Sequence, residues 1–344
     1  MSNRTGASSA RRAVKLSSLI NDKRIYIMFA IVFVLMAAIA PNFLNLFNMG
    51  NILKGATLCA IVAVGFTVVL IAGYLDLSVG SVINLGAVIV IAVGNKAGLV
   101  PGILAAVAAG MLVGLVNGLF VTKGKIHAFI VTLGMLTTVK GLLYMITGSA
   151  SINIKGFAVV NFMESRVLWL FTPKVLITLA LILLVALVLA RTRTGRVFFL
   201  MGGNRETAWL AGYNTDNYAI LSFVISSGLA AVGGVLFALS AGVAVPNMGE
   251  KGLNPQLLVI ASTIIGGTSM NGGKGSVIKS AFAVLTLTTL FNGFSCLGSG
   301  YEVQIAASGL ILAAIVSYEA YSDYKADLRK GQRQKLLQQL GKEK

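Results

Sequence analysis

Apolar stretches long enough to cross a bilayer recur along nearly the whole chain, near 25–40, 56–73, 79–94, 101–121, 128–147, 174–190, 218–243, 255–270, 276–297 and 303–317. A helix needs about 20 apolar residues to cross about 30 Å of hydrocarbon. Backbone inside hydrocarbon must satisfy its hydrogen bonds internally, and within single segments only helices do so. The expected fold is therefore all-α, a polytopic membrane helix bundle of about eight to ten spans. The range reflects 56–94 and 255–297, which read as holding broken or re-entrant pieces. Composition excludes a soluble alternative: 56% of residues are apolar and 11% charged, against roughly 25% charged in ordinary soluble domains. The 39 glycines suit helices whose backbones approach closely.

Charge orients the bundle. The net charge is +17, but the basic residues sit in short runs between apolar segments, which argues against a nucleic-acid surface. With the N-terminus inside and ten spans, the cytoplasmic segments are 1–24, 122–127, 191–214, 271–279 and 318–344, holding 6, 2, 4, 2 and 7 Lys or Arg. The outer segments and their edges hold six, namely Lys54, Lys96, Lys155, Arg166, Lys174 and Lys251, and Lys140 alone lies well within a span. Lys and Arg concentrate in cytoplasmic loops, so both termini are expected in the cytoplasm. The domains are a basic tail over 1–24, a transmembrane body over 25–317 and a second basic tail over 318–344. The basic run before Ile25 and the Ala38-Ile39-Ala40 that ends the first apolar stretch imitate a cleavable signal. The following chain is equally apolar, so an uncleaved first span is the expectation.

Polar and glycine-rich motifs interrupt this pattern. At 73–81 (Gly73-Tyr74-Leu75-Asp76-Leu77-Ser78-Val79-Gly80-Ser81) a carboxylate falls at membrane depth, which is costly unless it meets water, a partner or backbone. Asp76 and Ser78 fit as caps for a helix starting near Val79, or as contacts to a solute. Asn84 and Asn117 are further polar groups within spans, expected to face the bundle interior or a water-filled path. The segment 202–213 has Asn204 as a cap, Arg205 and Glu206 as charges, an apolar Ala208-Trp209-Leu210 face and Gly212 as a stop. It reads as a connecting loop or as a short helix that docks a partner. Gly266-Gly267-Thr268-Ser269-Met270-Asn271-Gly272-Gly273-Lys274-Gly275-Ser276 imitates a phosphate loop. The Gly-x4-Gly-Lys-Ser/Thr spacing fails at Thr268 and Gly275, leaving a tight glycine turn.

Gly80-Ser81-Val82-Ile83 recurs as Gly275-Ser276-Val277-Ile278, a weak sign of an internal repeat of the kind common in transporters. No catalytic set emerges. The sole histidine, His127, lacks a nucleophile partner and suits a membrane interface. Cys59 and Cys296 read as small buried hydrophobes, and no cluster has metal-ligand spacing.

Together these motifs resemble the permease subunits of ribose, galactose and xylose-type ABC importers. Residues 73–81 are similar to that family's Gly-Gly-Ile-Asp-Leu-Ser-Val-Gly-Ser, 202–213 to its Gly-Gly-Asn…Ala-Ala…Gly, and 265–275 to its Leu-Gly-Gly-Thr-Ser…Gly-Gly-x-Gly. Gly114-Leu115-Val116-Asn117-Gly118, followed by Phe129-Ile130-Val131-Thr132-Leu133-Gly134, is a fourth match. Tyr74, Thr207 and His127-Ala128 depart from the family pattern. The resemblance implies a permease importing a monosaccharide across the inner membrane. It also implies a second permease chain, cytoplasmic ATP-binding subunits and an external solute-binding protein. The ATPases would dock on Gly203, Asn204, Arg205, Glu206, Ala208, Trp209 and Gly212. Gly73, Asp76, Ser78, Gly80, Asn84 and Asn117 would lie on the path or its broken helix. The chain itself would bind no cofactor and catalyse no reaction, ATP being used by the partners. Within the family the solute could instead be a branched-chain amino acid, a nucleoside or a signalling furanose. An ion-coupled secondary transporter, the rival of another class, would need ionisable groups within its spans, and only Asp76 and Lys140 qualify.

Overall fold

A computed structural model describes residues 23–167, 169–247 and 254–300, together with 302–307, 309, 310, 313, 314, 317 and 321. Nearly all of both predicted basic tails, and Lys251, lie outside the described residues.

The chain is a helical membrane bundle. Among the described residues the helices are α1 (23–39), α2 (Leu46–Ile71), α3 (Val79–Ala97), α4 (Leu99–Thr122), α5 (Ala128–Thr147), α6 (Ala158–Glu164), α7 (Pro173–Arg191), α8 (Arg193–Gly203), α9 (Arg205–Leu210), α10 (Thr215–Ala241), α11 (Pro255–Ile265) and α12 (Val277–Cys296), and residues 302–307, in the span expected over 303–317, are helical too. Among the described residues seven of these are long and apolar enough to cross a membrane: α2, α3, α4, α5, α7, α10 and α12. Two short strands, β1 (Ile152–Asn153) and β2 (Val243–Ala244), pair antiparallel.

Helices α2, α3 and α10 form the centre, while α4, α5 and α7 leave most of their surface outward. Small residues decide this. A Cβ on Gly234 of α10 would lie 1.9 Å from the Ile83 carbonyl oxygen of α3, and one on Gly114 of α4 would lie 2.4 Å from the Phe223 carbonyl oxygen of α10. The backbones touch there, which only glycine permits, and such contacts drive helix association in lipid. Outward-facing Leu183, Leu184 and Leu187 on α7 would be unfavourable in water and suit hydrocarbon.

Several elements differ from the sequence expectation. The stretch expected helical over 255–270 is an eleven-residue α11 ending at Ile265, about 16 Å long at 1.5 Å per residue and too short to span. α2 starts at Leu46, ten residues earlier than expected, because Asn45 caps it through the Phe47 amide. The segment 191–214 holds two helices, α8 and α9, not one. The apparent repeat is out of register: Gly80 and Ser81 lie inside the first turn of α3, whereas Gly275 and Ser276 precede α12 and Ser276 caps it.

The loops sort to two ends. At one, Lys123 pairs with Asp216 and Arg205 bonds Tyr74, so 122–127, 191–214 and the α2–α3 connection meet. At the other, β1 pairs with β2, Asn95 binds the Asn153 carbonyl and the Lys155 amide, and Glu164 holds Lys54 and Lys174.

Candidate functional site

α2 ends in a Schellman turn. Gly73, at φ +89, donates to the Leu70 carbonyl, and the Tyr74 amide reaches back to Val69. The left-handed position favours glycine. The chain then runs as an irregular segment to α3, and this gap holds Asp76, which is fully buried. Asp76 Oδ1 accepts from the Ser78 amide (3.0 Å) and hydroxyl (2.6 Å), and Oδ2 accepts from the hydroxyls of Ser226 (3.0 Å) and Ser227 (3.4 Å). Ser226 lies eleven residues beyond the start of α10, about 17 Å along its axis, so the gap sits deep in the bundle. Asn117 of α4 completes the cluster by donating Nδ2 to the Ser78 hydroxyl at 2.9 Å.

The expectation that the Ser78 side chain caps α3 needs correction. Its hydroxyl is committed to Asp76 and Asn117 and takes no α3 amide. The serine pair of α10 was not singled out from the sequence, although two adjacent hydroxyls in an apolar span carry the same signal as Asn117.

A cavity of about 110 Å³ lies beside this cluster. Gly80, Ser81 and Asn84 of α3, Leu136 and Lys140 of α5, Asn247, and Asn254 and Gln256 at the start of α11 line it. A Cβ on Gly80 would lie 2.3 Å from Gln256 Oε1, so glycine there admits the α11 side chain. Asn84 Nδ2 donates to the Pro246 carbonyl at 3.3 Å. Asn84 Oδ1 and Asn247 Nδ2 are buried without hydrogen-bond partners among the described residues. Such groups are costly unless a ligand or water meets them. An acceptor, a donor, a hydroxyl and an ammonium around one small space suit a ligand rich in hydroxyls. Of these residues only Gly80, Ser81, Asn84 and Lys140 were distinguished by sequence. Gln256 and Asn254 become visible only because α11 begins at the cavity.

All three glycine motifs meet at the α8–α9 end. A Cβ on Gly202 would lie 1.8 Å from the Ile71 carbonyl oxygen and 2.6 Å from the Gly273 nitrogen, and one on Gly272 would lie 2.8 Å from Gly73 Cα. The Gly273 amide donates to the Ile71 carbonyl at 2.9 Å. The turn from Gly266 to Gly275 is built by local bonds: Gly267 to Ile264, the Ser269 amide to the Lys274 carbonyl, and Gly272 to Ser269. Thr268 is buried against Ser280. A Cβ on Gly275 would lie 2.7 Å from the Ile71 side chain.

Asn204 caps α9 through the Thr207 amide at 2.9 Å, and Gly212 reverses the chain at φ +83. Arg205 bonds Tyr74 Oη (2.6 Å) and Asp216 (2.7 Å), tying α9 to the α2–α3 gap. Glu206 is exposed. The expected Ala208-Trp209-Leu210 face is not a single surface. Ala208 is fully buried, while Trp209 and Leu210 are 65% and 72% exposed. Neighbours on a helix point about 100° apart.

Residues 48–317 match the family described as branched-chain amino acid transport system / permease component. The ribose import permease protein RbsC of Escherichia coli is 31% identical, over 90% of this chain and 97% of its own length. The L-arabinose transport system permease protein AraH of the same species is 31% identical over 92% and 96%. The autoinducer 2 import system permease protein LsrC of Yersinia pseudotuberculosis is 33% identical over 83% and 81%. No solved structure matches the chain. A multi-pass bundle with a broken polar helix at its centre, matched along most of its length, belongs to this family of transport-system permease components.

Proposed function

We propose that this chain is the membrane-spanning subunit of an ATP-driven importer of a monosaccharide, ribose-like or arabinose-like, working in a bacterial inner membrane. The observation that carries the reading is the cavity lined by Ser81, Asn84, Lys140, Asn247, Asn254 and Gln256, two of whose amides, on Asn84 and Asn247, keep a buried polar atom without a partner among the described residues. Sugar hydroxyls both donate and accept, and so match that lining. The names of the ribose and arabinose permeases support the same solute class.

Import proceeds by two-state switching, in which partner ATPases and solute bias one equilibrium. Trp209, Leu210 and Glu206 on α9 offer an exposed docking surface for the ATP-binding subunit. Movement of α9 reaches the α2–α3 gap through the Gly202–Ile71–Gly273 junction and the Arg205–Tyr74 bond. The gap leads directly into α3, which carries Gly80, Ser81 and Asn84. A second permease chain pairs with this one, and an external binding protein delivers solute to the β1–β2 end. The α8–α9 end and both termini face the cytoplasm, in keeping with the bias of basic residues.

Proteoliposomes holding the chain with its ATPase and binding protein test the reading. ATP-dependent uptake of labelled ribose or arabinose is expected, with a large loss in Asn84→Ala. Uptake of leucine with no uptake of either pentose would overturn the sugar assignment.

A further inference from the structure

Four side chains from four separate elements form one continuous chain at the α8–α9 end. Lys123, the residue that follows α4, pairs with Asp216 in the first turn of α10 at 3.0 Å. Asp216 also holds Arg205, the first residue of α9, at 2.7 Å. Arg205 in turn donates to the Tyr74 hydroxyl at 2.6 Å and lies 5.9 Å from the centre of its ring. Tyr74 belongs to the α2–α3 gap, at a position where the motif that 73–81 resembles has glycine. Its ring rests on Phe223 of α10, with centres 5.6 Å apart, and together with Arg205 and Asp216 it lines a cavity of about 880 Å³. Among the described residues Arg205 is the only hydrogen-bond partner of the hydroxyl. α8 meets the gap backbone to backbone at Gly202, whereas this side-chain bond ties α9 to it. Beyond the far end of α9, Tyr213 packs on Tyr218 of α10 with centres 6.3 Å apart.

The Lys123 and Arg205 side chains are 61% and 46% exposed, and contacts exposed to this degree are individually weak. They add little to the stability of the fold. A few-fold change in the balance between two arrangements of the chain is within their reach. We infer that Tyr74 is a positioning residue for α9, and that its bond to Arg205 is a latch holding the resting arrangement until the partner ATPases act on α9. Releasing Arg205 frees the N-terminal end of α9 from the gap that leads into α3. A chain without the latch populates the switched arrangement in the absence of solute, and its ATPases then hydrolyse ATP that moves nothing. This consequence rests on the import reading, whereas the positioning is a property of the chain alone.

Tyr74→Phe removes only the hydroxyl and keeps the ring on Phe223. Arg205→Gln removes the same bond together with the pair to Asp216. Hydrogen exchange of the full chain in nanodiscs is followed over 208–213, where the amides of Ala208, Ala211, Gly212 and Tyr213 bond within α9 and its end. It should quicken about two- to fivefold in Tyr74→Phe, with exchange in α2 and α3 unchanged. Adding Tyr74→Phe to Arg205→Gln should change nothing further, because the bond is already gone. In proteoliposomes with the ATPase and the binding protein, Tyr74→Phe should raise hydrolysis without solute by a similar factor and lower uptake per ATP. The solute concentration for half-maximal uptake should not move, which separates a latch from damage to the solute cavity. Unchanged exchange, or a full extra effect of Tyr74→Phe on the Arg205→Gln background, would overturn the latch. Quickened exchange with unaltered hydrolysis would overturn its coupling role. Absence of solute-stimulated hydrolysis in the unchanged chain would count against the import reading, and exchange alone then decides the positioning.

Discussion

Ser226 donates its hydroxyl to Asp76 Oδ2 at 3.0 Å, and the gap between α2 and α3 is thereby pinned to the middle of α10. The same carboxylate holds Ser78 and Ser227, so three hydroxyls and one amide depend on it. Asp76→Ala should leave these donors unpaired, at about 1–3 kcal/mol for each buried group not rescued by water. Thermal unfolding in detergent should show a clear destabilisation, and uptake should fall. Asp76→Asn keeps an acceptor and should be milder. Equal melting temperatures for the unchanged chain and Asp76→Ala would remove the pinning role.

Gly202 and Gly203 are neighbours with opposite surroundings. A Cβ on Gly202 would collide with the Ile71 carbonyl oxygen at 1.8 Å, while one on Gly203 meets nothing within 4 Å. Gly202→Ala should force the α2, α8 and glycine-turn backbones apart and reduce expression and ATPase coupling. Gly203→Ala should fold like the unchanged chain and gain slightly in helix propensity. Matched expression and unfolding curves for the two variants would contradict the close approach.

Trp209 is exposed although aromatic, at the end of a helix tied inward by Ala208 and Arg205. Trp209→Ala should therefore leave the stability of the isolated chain unchanged. Loss of an aromatic interface anchor costs about 2 kcal/mol or more, roughly a thirtyfold weaker affinity for the ATPase. Co-purification and solute-stimulated hydrolysis measure this. Full assembly by a Glu206→Ala/Trp209→Ala double variant would return 202–213 to the role of a connecting loop.

Glu164 lies at the β1–β2 end between Lys174 and Lys54. Burial alone would raise its carboxyl, but hydrogen bonds and charge from Lys174, then Lys54, outweigh it and hold it below the usual carboxylate range. A depressed carboxylate contributes stability above its unfolded value and loses it as pH falls through the folded one. The unchanged chain should thus be more stable than Glu164→Gln at neutral pH, and the two melting curves should converge as pH falls through and below the usual carboxylate range. The side chain is 34% exposed, so solvent screening limits the gap to about 1 kcal/mol. A gap that widens on acidification would refute the sign.

Scarce charge and apolar runs of spanning length were enough to determine a helical membrane bundle, because lipid leaves the backbone no other open-chain solution. Local rules also sufficed for the end of α2 at Gly73 and the Asn204 cap, since a left-handed turn and a cap depend on a few adjacent residues. The motifs at 73–81, 202–213 and 266–276 were each legible as interruptions. That Gly73, Gly202 and Gly273 touch was not, because backbone contact between distant glycines is set by how helices pack. For the same reason Ser226, 150 positions from Asp76, gave no local sign of its partner, and Gln256 became a cavity residue only where α11 begins. Tertiary packing decided which polar groups share a buried space, because each could have been satisfied by any neighbour the bundle brought within hydrogen-bonding distance.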